Sequence, residues 1–278
     1  MDFGEFEIFP VSDGTFRLDG GAMFGVVPRT LWEVSNPPDE KNRVLLGLNP
    51  LLIKAGGEKI LVETGIGGKG YEKFRSIYGI ERNPGLGGSL REIGLIEEDV
   101  SIVINTHLHF DHAGGNTLAG AGGALRPAFP RARYIVQRGE FEKAMSPNER
   151  ERASYRAEDF VPVKEAGLFE LIDGDREITK GVSVFRAPGH NRDIQLVRIE
   201  SGGRTAVVLS DIIPTAAHLK YPWIAGYDLF PLETLRIKKE IVEKAAAGGW
   251  LLFFFHDPQV KAGHVRLEDG GPVVEKVL

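Results

Sequence analysis

Three of the chain's seven histidines fall within six residues, His107-Leu108-His109-Phe110-Asp111-His112. Imidazole and carboxylate together suit divalent transition metals, so this run is where chemistry is to be sought. It follows a short β-branched stretch, Ile102-Val103-Ile104-Asn105-Thr106, and leads into Ala113-Gly114-Gly115. In an extended segment, residues two apart project to the same side, so His107 and His109 can grip one ion together. Asp111 and His112 follow where the chain turns and offer ligands in a new direction. Four ligands this close in sequence crowd a single tetrahedral ion. Two neighbouring metals, roughly 3.5–4 Å apart as in binuclear hydrolytic sites, accommodate them better. The competing reading is a surface loop that happens to be rich in histidine, and the clustering speaks against it.

The elements around this run must hold it, and three later apolar strands end in the same kinds of residue. The strand at residues 182–186 is followed by Ala187-Pro188-Gly189-His190, and the one at 205–209 by Ser210-Asp211. The fully apolar run 250–255 leads into His256-Asp257. A metal-capable side chain straight after each strand is a pattern that one example would not establish.

The remaining chain reads mostly as strands and turns. Residues 43–54 and 59–64 are two apolar runs joined by Ala55-Gly56-Gly57-Glu58, a hairpin by its turn chemistry. Gly65-Ile66-Gly67-Gly68-Lys69-Gly70 then satisfies a dinucleotide-binding spacing between a strand and a helix at 71–78. The unit before it is a hairpin and no acid closes a second strand, so a tight turn under the metal site is preferred to a nicotinamide site. Residues 112–118 should start a helix, 139–146 and 231–247 should be helical, and 263–278 should form a final hairpin. The charged stretch 148–159 reads as a solvated helix-prone face, with a docking surface for an acidic substrate as the other reading. Residues 20–32 are too interrupted by glycine and proline for helix or strand. Their Met23, Phe24 and Trp32 are either a plug in the core or a wall of a pocket. The loop 212–227 adds His218, Tyr221, Trp223 and Tyr227 as candidate substrate contacts, with His218 equally readable as a plain loop residue.

Length and composition bound the rest. The 278 residues can bury a substantial core, and no linker divides them, so one domain over 1–278 is expected. A net charge of -5, with acids and bases interspersed, argues against a nucleic-acid partner. The absence of cysteine excludes disulfides and thiolate ligands. No run reaches membrane-span length and the start lacks a signal-peptide pattern, which gives expectations of no membrane partner and a cytoplasmic location. A homodimer is allowed for.

The run His107 to His112, followed in order by His190, Asp211 and His256, resembles the metallo-β-lactamase superfamily and its H-x-H-x-D-H signature. The resemblance implies an α/β (α+β) fold, a four-layer αββα sandwich with the metal site at one edge between two mixed sheets. It also implies that His107, His109 and His190 hold a first metal, that Asp111, His112 and His256 hold a second, and that Asp211 bridges them. Two chain positions depart from the family pattern: Glu63 stands where an aspartate usually precedes Thr-Gly, and Asn191 follows His190 where a small hydroxyl residue is common. The bridging Asp211 favours the lactonase, thioesterase and phosphodiesterase-like branches over true β-lactamases. Three intact histidines with Asp111 speak against the oxygen-reducing di-iron branch. The loops 20–32 and 212–227 look like those of the lactonase and organophosphate-hydrolase-like branch.

The implied reaction is hydrolysis of a small-molecule lactone, carboxylic ester or organophosphate by a metal-bridging hydroxide, with Asp111 orienting it and moving its proton. Zinc is the first choice for both ions, with iron, manganese or cobalt suited to the same ligands. An apolar pocket from Met23, Phe24, Trp32, Tyr221, Trp223 and Tyr227 would suit a neutral substrate, and Tyr221 or Tyr227 could assist the oxyanion. The alternatives are a glyoxalase II-like thioesterase and a catalytically silent metal-binding protein of the same fold. The second must explain why seven costly ligands are kept.

Overall fold

The computed structural model describes residues 1–278 apart from the side chains of Tyr71, Lys73 and Ala121. Two seven-stranded mixed sheets carry the chain, and in each the spatial order of strands follows the sequence. The first sheet runs Asp2–Phe3, Phe6–Pro10, Leu51–Ala55, Glu58–Val62, Ile102–Ile104, Arg133–Gln137 and Phe169–Ile172. Its last four strands are parallel neighbours, as the Ile60↔Ile102 and Ile102↔Arg133 pairings show. The second sheet runs Arg176–Thr179, Val182–Arg186, Gln195–Ser201, Arg204–Val208, Leu251–Phe253, Ala262–Glu268 and Gly271–Lys276. Only the pair Arg204–Val208 with Leu251–Phe253 is parallel in it, because the helix Pro231–Gly248 intervenes as a crossover.

Strand alternation explains the layers. Ile53, Ile60, Ile102, Ile104 and Ile135 of the first sheet meet Val184, Val197, Ile199, Val208 and Phe253 of the second in one buried cluster. The opposite faces are apolar too. Leu52, Leu61, Val103 and Tyr134 pack under Leu86 and Leu90 of the helix Gly85–Glu92. Leu196, Val207 and Leu252 pack under Ile237, Ile241 and Val242 of the long helix. Sheets covered on both faces need this continuous apolar composition, and the result is the αββα sandwich expected from the resemblance.

Three expectations change in detail. The apolar run 43–54 is two strands, Arg43–Leu48 and Leu51–Ala55, because Asn49-Pro50 breaks it and the first half pairs with Gly14–Asp19 as a separate ribbon. Residues 20–32 contain two short helices, Gly20–Phe24 and Arg29–Trp32; the first is capped by the Asp19 side chain and ends at Gly25 with φ 56°. The helix expected to start at 112–118 begins inside the histidine run and covers only Phe110–Ala113 before a 3-10 turn at Gly114–Asn116.

That early ending has a packing cause. The segment after the motif lies directly on the turn that follows Glu58–Val62: Thr64 N donates to His112 O at 2.8 Å, and Gly115 N to Gly65 O at 3.1 Å. A Cβ added to Gly114 would lie 2.1 Å from Ile66 O, so only glycine permits the approach. Gly67, with φ 66°, packs against Gly114 and donates to Asp13. The glycine-rich run is thus the tight turn beneath the histidines.

Candidate metal centre

The strand Ile102–Ile104 delivers His107 to a site between the sheets, and the second sheet fastens it there. Gln195 N donates to Thr106 O at 3.0 Å, and Gln195 Nε2 to Asn105 O at 2.9 Å. The turns after Val182–Arg186, Arg204–Val208 and Leu251–Phe253 bring His190, Asp211 and His256 to the same place. All seven side chains named from the sequence meet, and His107, His112, His190, Asp211 and His256 are at most 4% exposed.

They form two groups, and a third cluster joins Glu63 to His107 and His112. In the first, His107, His109, His190 and Asp211 have ligand atoms within 4.8 Å of one another. His190 Nε2 faces His109 Nδ1 at 3.0 Å. In the second, Asp111, His112 and His256 converge equally closely, with His256 Nε2 and His112 Nε2 3.1 Å apart. Asp211 stands between: Oδ2 is 3.4 Å from His190 Nε2, while Oδ1 is 3.1 Å from His256 Nε2 and 3.2 Å from His112 Nε2.

The chemistry of the set fits cations. His107 Nε2 and Asp211 Oδ1 are buried polar atoms without an aligned hydrogen-bond partner among the described residues, a costly arrangement unless something else binds them. The far nitrogens are occupied instead. His112 Nδ1 contacts Glu63 Oε1 at 3.2 Å, His190 Nδ1 contacts Asp228 Oδ1 at 3.0 Å, and His256 Nδ1 contacts Gly47 O at 3.0 Å. A carbonyl or carboxylate only accepts, which puts a proton on each Nδ1 and turns each Nε2 toward the centre. Burial first, then neighbouring imidazoles, hold His107 and His109 well below the usual histidine pKa, so they are neutral ligands. Burial pulls His112 down as well, but Asp211, Asp111 and Glu63 outweigh it and raise it. Asp211 is held well below the carboxylate range, since His112, His190 and His256 overcome the effect of burial.

Glu63 therefore reaches His112 despite being the longer acid. It is fully buried, also accepts from the Thr106 hydroxyl, and adopts φ 65°, a conformation that non-glycine residues hold only when their surroundings compel it. Ser210, beside Asp211, has φ 45° and shares a 2.7 Å hydrogen bond with Thr106. Two supporting acids escaped the sequence reading. Asp228 takes His190 Nδ1 on one oxygen and the Thr234 hydroxyl, at 2.7 Å, on the other. Glu140 accepts from Leu108 N at 2.8 Å, Asn191 Nδ2 at 3.0 Å and the Tyr155 hydroxyl at 3.1 Å. It thereby ties the His107/His109 loop to the His190 loop, and burial pushes its carboxyl up to about 7 against those hydrogen bonds. A charged residue on the inner face of a helix beside Phe141 and Ala144 is a readable signal for Glu140. Asp228 carries none.

A cavity of about 680 Å³ opens onto His109, Asp111, His190 and Asp211. Of the substrate-contact candidates, Tyr227 lines it. Its ring packs edge-on to His190, with centroids 5.4 Å apart. The others are corrected by burial or position. Met23, Phe24, Trp32 and Trp223 are core residues in one buried cluster with Phe16 and Phe255, so they take the plug reading. His218 is sealed beneath them against the Phe24 ring, its Nε2 donating to Met23 O at 2.9 Å. Tyr221 lies away from the cavity, packed toward the long helix under Lys239. Leu18, Ala22, Val26, Phe110 and Leu229 form the apolar walls instead.

Residues 45–256 match the family described as the metallo-beta-lactamase superfamily. The chain belongs to that superfamily. Among its members, an N-acyl homoserine lactonase of Bacillus thuringiensis is 33% identical over 172 residues, which span 60% of this chain and 60% of that protein. A probable metal-dependent hydrolase from Staphylococcus aureus superposes over 100% of both chains, with a TM-score of 0.89 and 29% identity. The dizinc quorum-quenching lactonase AidC, solved with a product, shares the fold at a TM-score of 0.82 and 19% identity, covering 100% of this chain and 96% of its own. The superfamily match spans the histidine run and the later His190, Asp211 and His256.

Proposed function

We propose that this chain, acting as one domain over residues 1–278, is a metal-dependent hydrolase that opens the lactone ring of N-acyl homoserine lactones or of similar small lactones and esters. The observation that carries the reading is the meeting of seven imidazole and carboxylate side chains, of which His109, Asp111, His190 and Asp211 line a mainly apolar cavity. The relative named as an N-acyl homoserine lactonase supports the substrate class. His107, His109 and His190 would hold one divalent cation, Asp111, His112 and His256 a second, and Asp211 would serve both, with zinc as the first candidate. Bound there, such cations ionise water near neutral pH and draw charge from a carbonyl.

The protein's own groups then divide the work. Asp111 faces the cavity with Oδ2 3.5 Å from His256 Nε2. That placement suits it to take the proton of the attacking water and return it to the departing alkoxide. The Tyr227 hydroxyl donates to Met23 Sδ at 2.9 Å, a weak acceptor that a developing oxyanion would displace. Burial, and then the carboxylates of Asp211, Asp228 and Asp111, hold this phenol well above its usual pKa, so it stays a donor. The apolar walls exclude water and receive an acyl arm.

The test is metal analysis of the purified protein, followed by chelation and reconstitution with zinc, manganese or cobalt on lactone, aryl ester, thioester and phosphotriester panels. Turnover of lactones that stops on chelation and returns with metal is expected. Idle protein on every panel after reconstitution would overturn the reading.

A further inference from the structure

Part of the cavity wall is a turn formed by residues 148–154, and it is fastened to the histidine motif itself. Asn148 Oδ1 accepts from the backbone N–H of Arg150 at 3.0 Å and of Glu151 at 3.1 Å, fixing the turn's start. At its end Phe110 N donates to Ser154 O at 2.9 Å, and His109 forms a β-bridge with Tyr155. Whatever the turn displays is therefore held in register with the metal ligands.

It displays two charges differently. Glu151 is turned under, 5% exposed, with its carboxylate taken by Lys143 at 3.2 Å and by Asn148. Arg150 is exposed, and no carboxylate pairs with it among the described residues. One of its N–H groups reaches Gly226 O at 3.4 Å, the carbonyl just before Tyr227. It is the only lysine or arginine among the described residues lining the cavity, which is also lined by Leu18, Ala22 and Val26. A guanidinium with most of its donors free, in a cavity lined mainly by apolar groups, can receive an oxygen acceptor.

We propose that Arg150 determines specificity by hydrogen-bonding an acceptor oxygen on the substrate's apolar arm, either an amide or keto carbonyl or a carboxylate. The scissile group meanwhile sits at the metal centre. This rests on the hydrolase reading above and adds to it that a bare alkyl arm is not the preferred substituent.

The experiment compares wild type with Arg150→Met, which keeps most of the apolar stem and removes the guanidinium. The substrates are lactones matched in length that carry a plain alkyl, an amide-bearing or a carboxylate-bearing arm. KM is expected to rise about tenfold on at least one acceptor-bearing arm, the size of a lost hydrogen bond to a charged donor. On the alkyl arm kcat/KM should stay within about twofold. A rise confined to the amide arm identifies a neutral carbonyl, and one confined to the carboxylate arm an anionic substrate. Equal loss on all three arms, or loss on none, overturns the proposal. Calorimetric binding of the matching non-hydrolysable lactams reads the same contact without turnover. An inactive wild type would then count against the hydrolase reading, while the lactam affinities still decide Arg150.

Discussion

Glu63 shows how much a single supporting side chain decides. The added methylene is absorbed by a left-handed backbone, so the carboxylate still meets His112 Nδ1 and the Thr106 hydroxyl. Acids that orient a ligating histidine typically contribute 10–100-fold to metal affinity. Glu63→Gln is therefore expected to weaken the second cation by about that factor, and Asp228→Asn the first, as read by competition with a chromophoric chelator. Unchanged affinity in both variants would mean that these contacts only fill space. At this scale the seven ligand candidates were legible, because each follows an apolar strand and strand ends are easy to find. The supporting acids were less so. Asp228 belongs to an irregular loop, where spacing carries no directional information, and Met23, Phe24 and Trp32 were ambiguous because a buried aromatic and a pocket aromatic look alike in sequence.

Among the elements, close backbone contact positions the motif as much as hydrogen bonding does. The chain after His112 lies on residues 64–67, where Gly114 and Gly115 leave no room for a side chain. Gly114→Ala must move one segment or the other, and a loss of about 2 kcal/mol or more in denaturant unfolding is expected. Gly120→Ala, where an added Cβ meets nothing nearer than 3.4 Å, serves as the control. Equal stability of the two variants would contradict the packing argument. The strands and the long helix Pro231–Gly248 were readable from periodicity. Short pieces such as Gly20–Phe24, set by one cap and tertiary packing, were not. The glycine-rich run misleads in the opposite sense, since it matches a nucleotide motif while its glycines serve contact with Gly114.

Over the whole molecule, two buried features couple stability to solution conditions. Burial first holds His218 down to about 3, against a usual value of 6.5. Its neutral ring accepts from the Thr215 hydroxyl at 2.7 Å through Nδ1 and donates to Met23 O through Nε2. Between those two values the unfolded chain binds a proton that the folded one refuses, so stability falls as pH drops through that window. Relative to His218→Phe, which has no such group, wild type should lose about 3 kcal/mol between pH 7 and pH 4 in urea unfolding. A pH-independent difference would exclude this role. Metal loading is the second feature. Cations at 100–1,000 times their Kd add about 3–4 kcal/mol. Chelation should therefore lower the melting temperature by roughly 5–10 °C in a protein of this size, and an unmoved melt would argue against a loaded site.

His107 is made before the midpoint of the chain, and His256 almost at its end. The whole stretch from His107 to His256 must be made before the two sheets can share an ion. On the proposed reading, a bound cation therefore fastens segments that are far apart in sequence, and its binding is coupled to the docking of one sheet on the other.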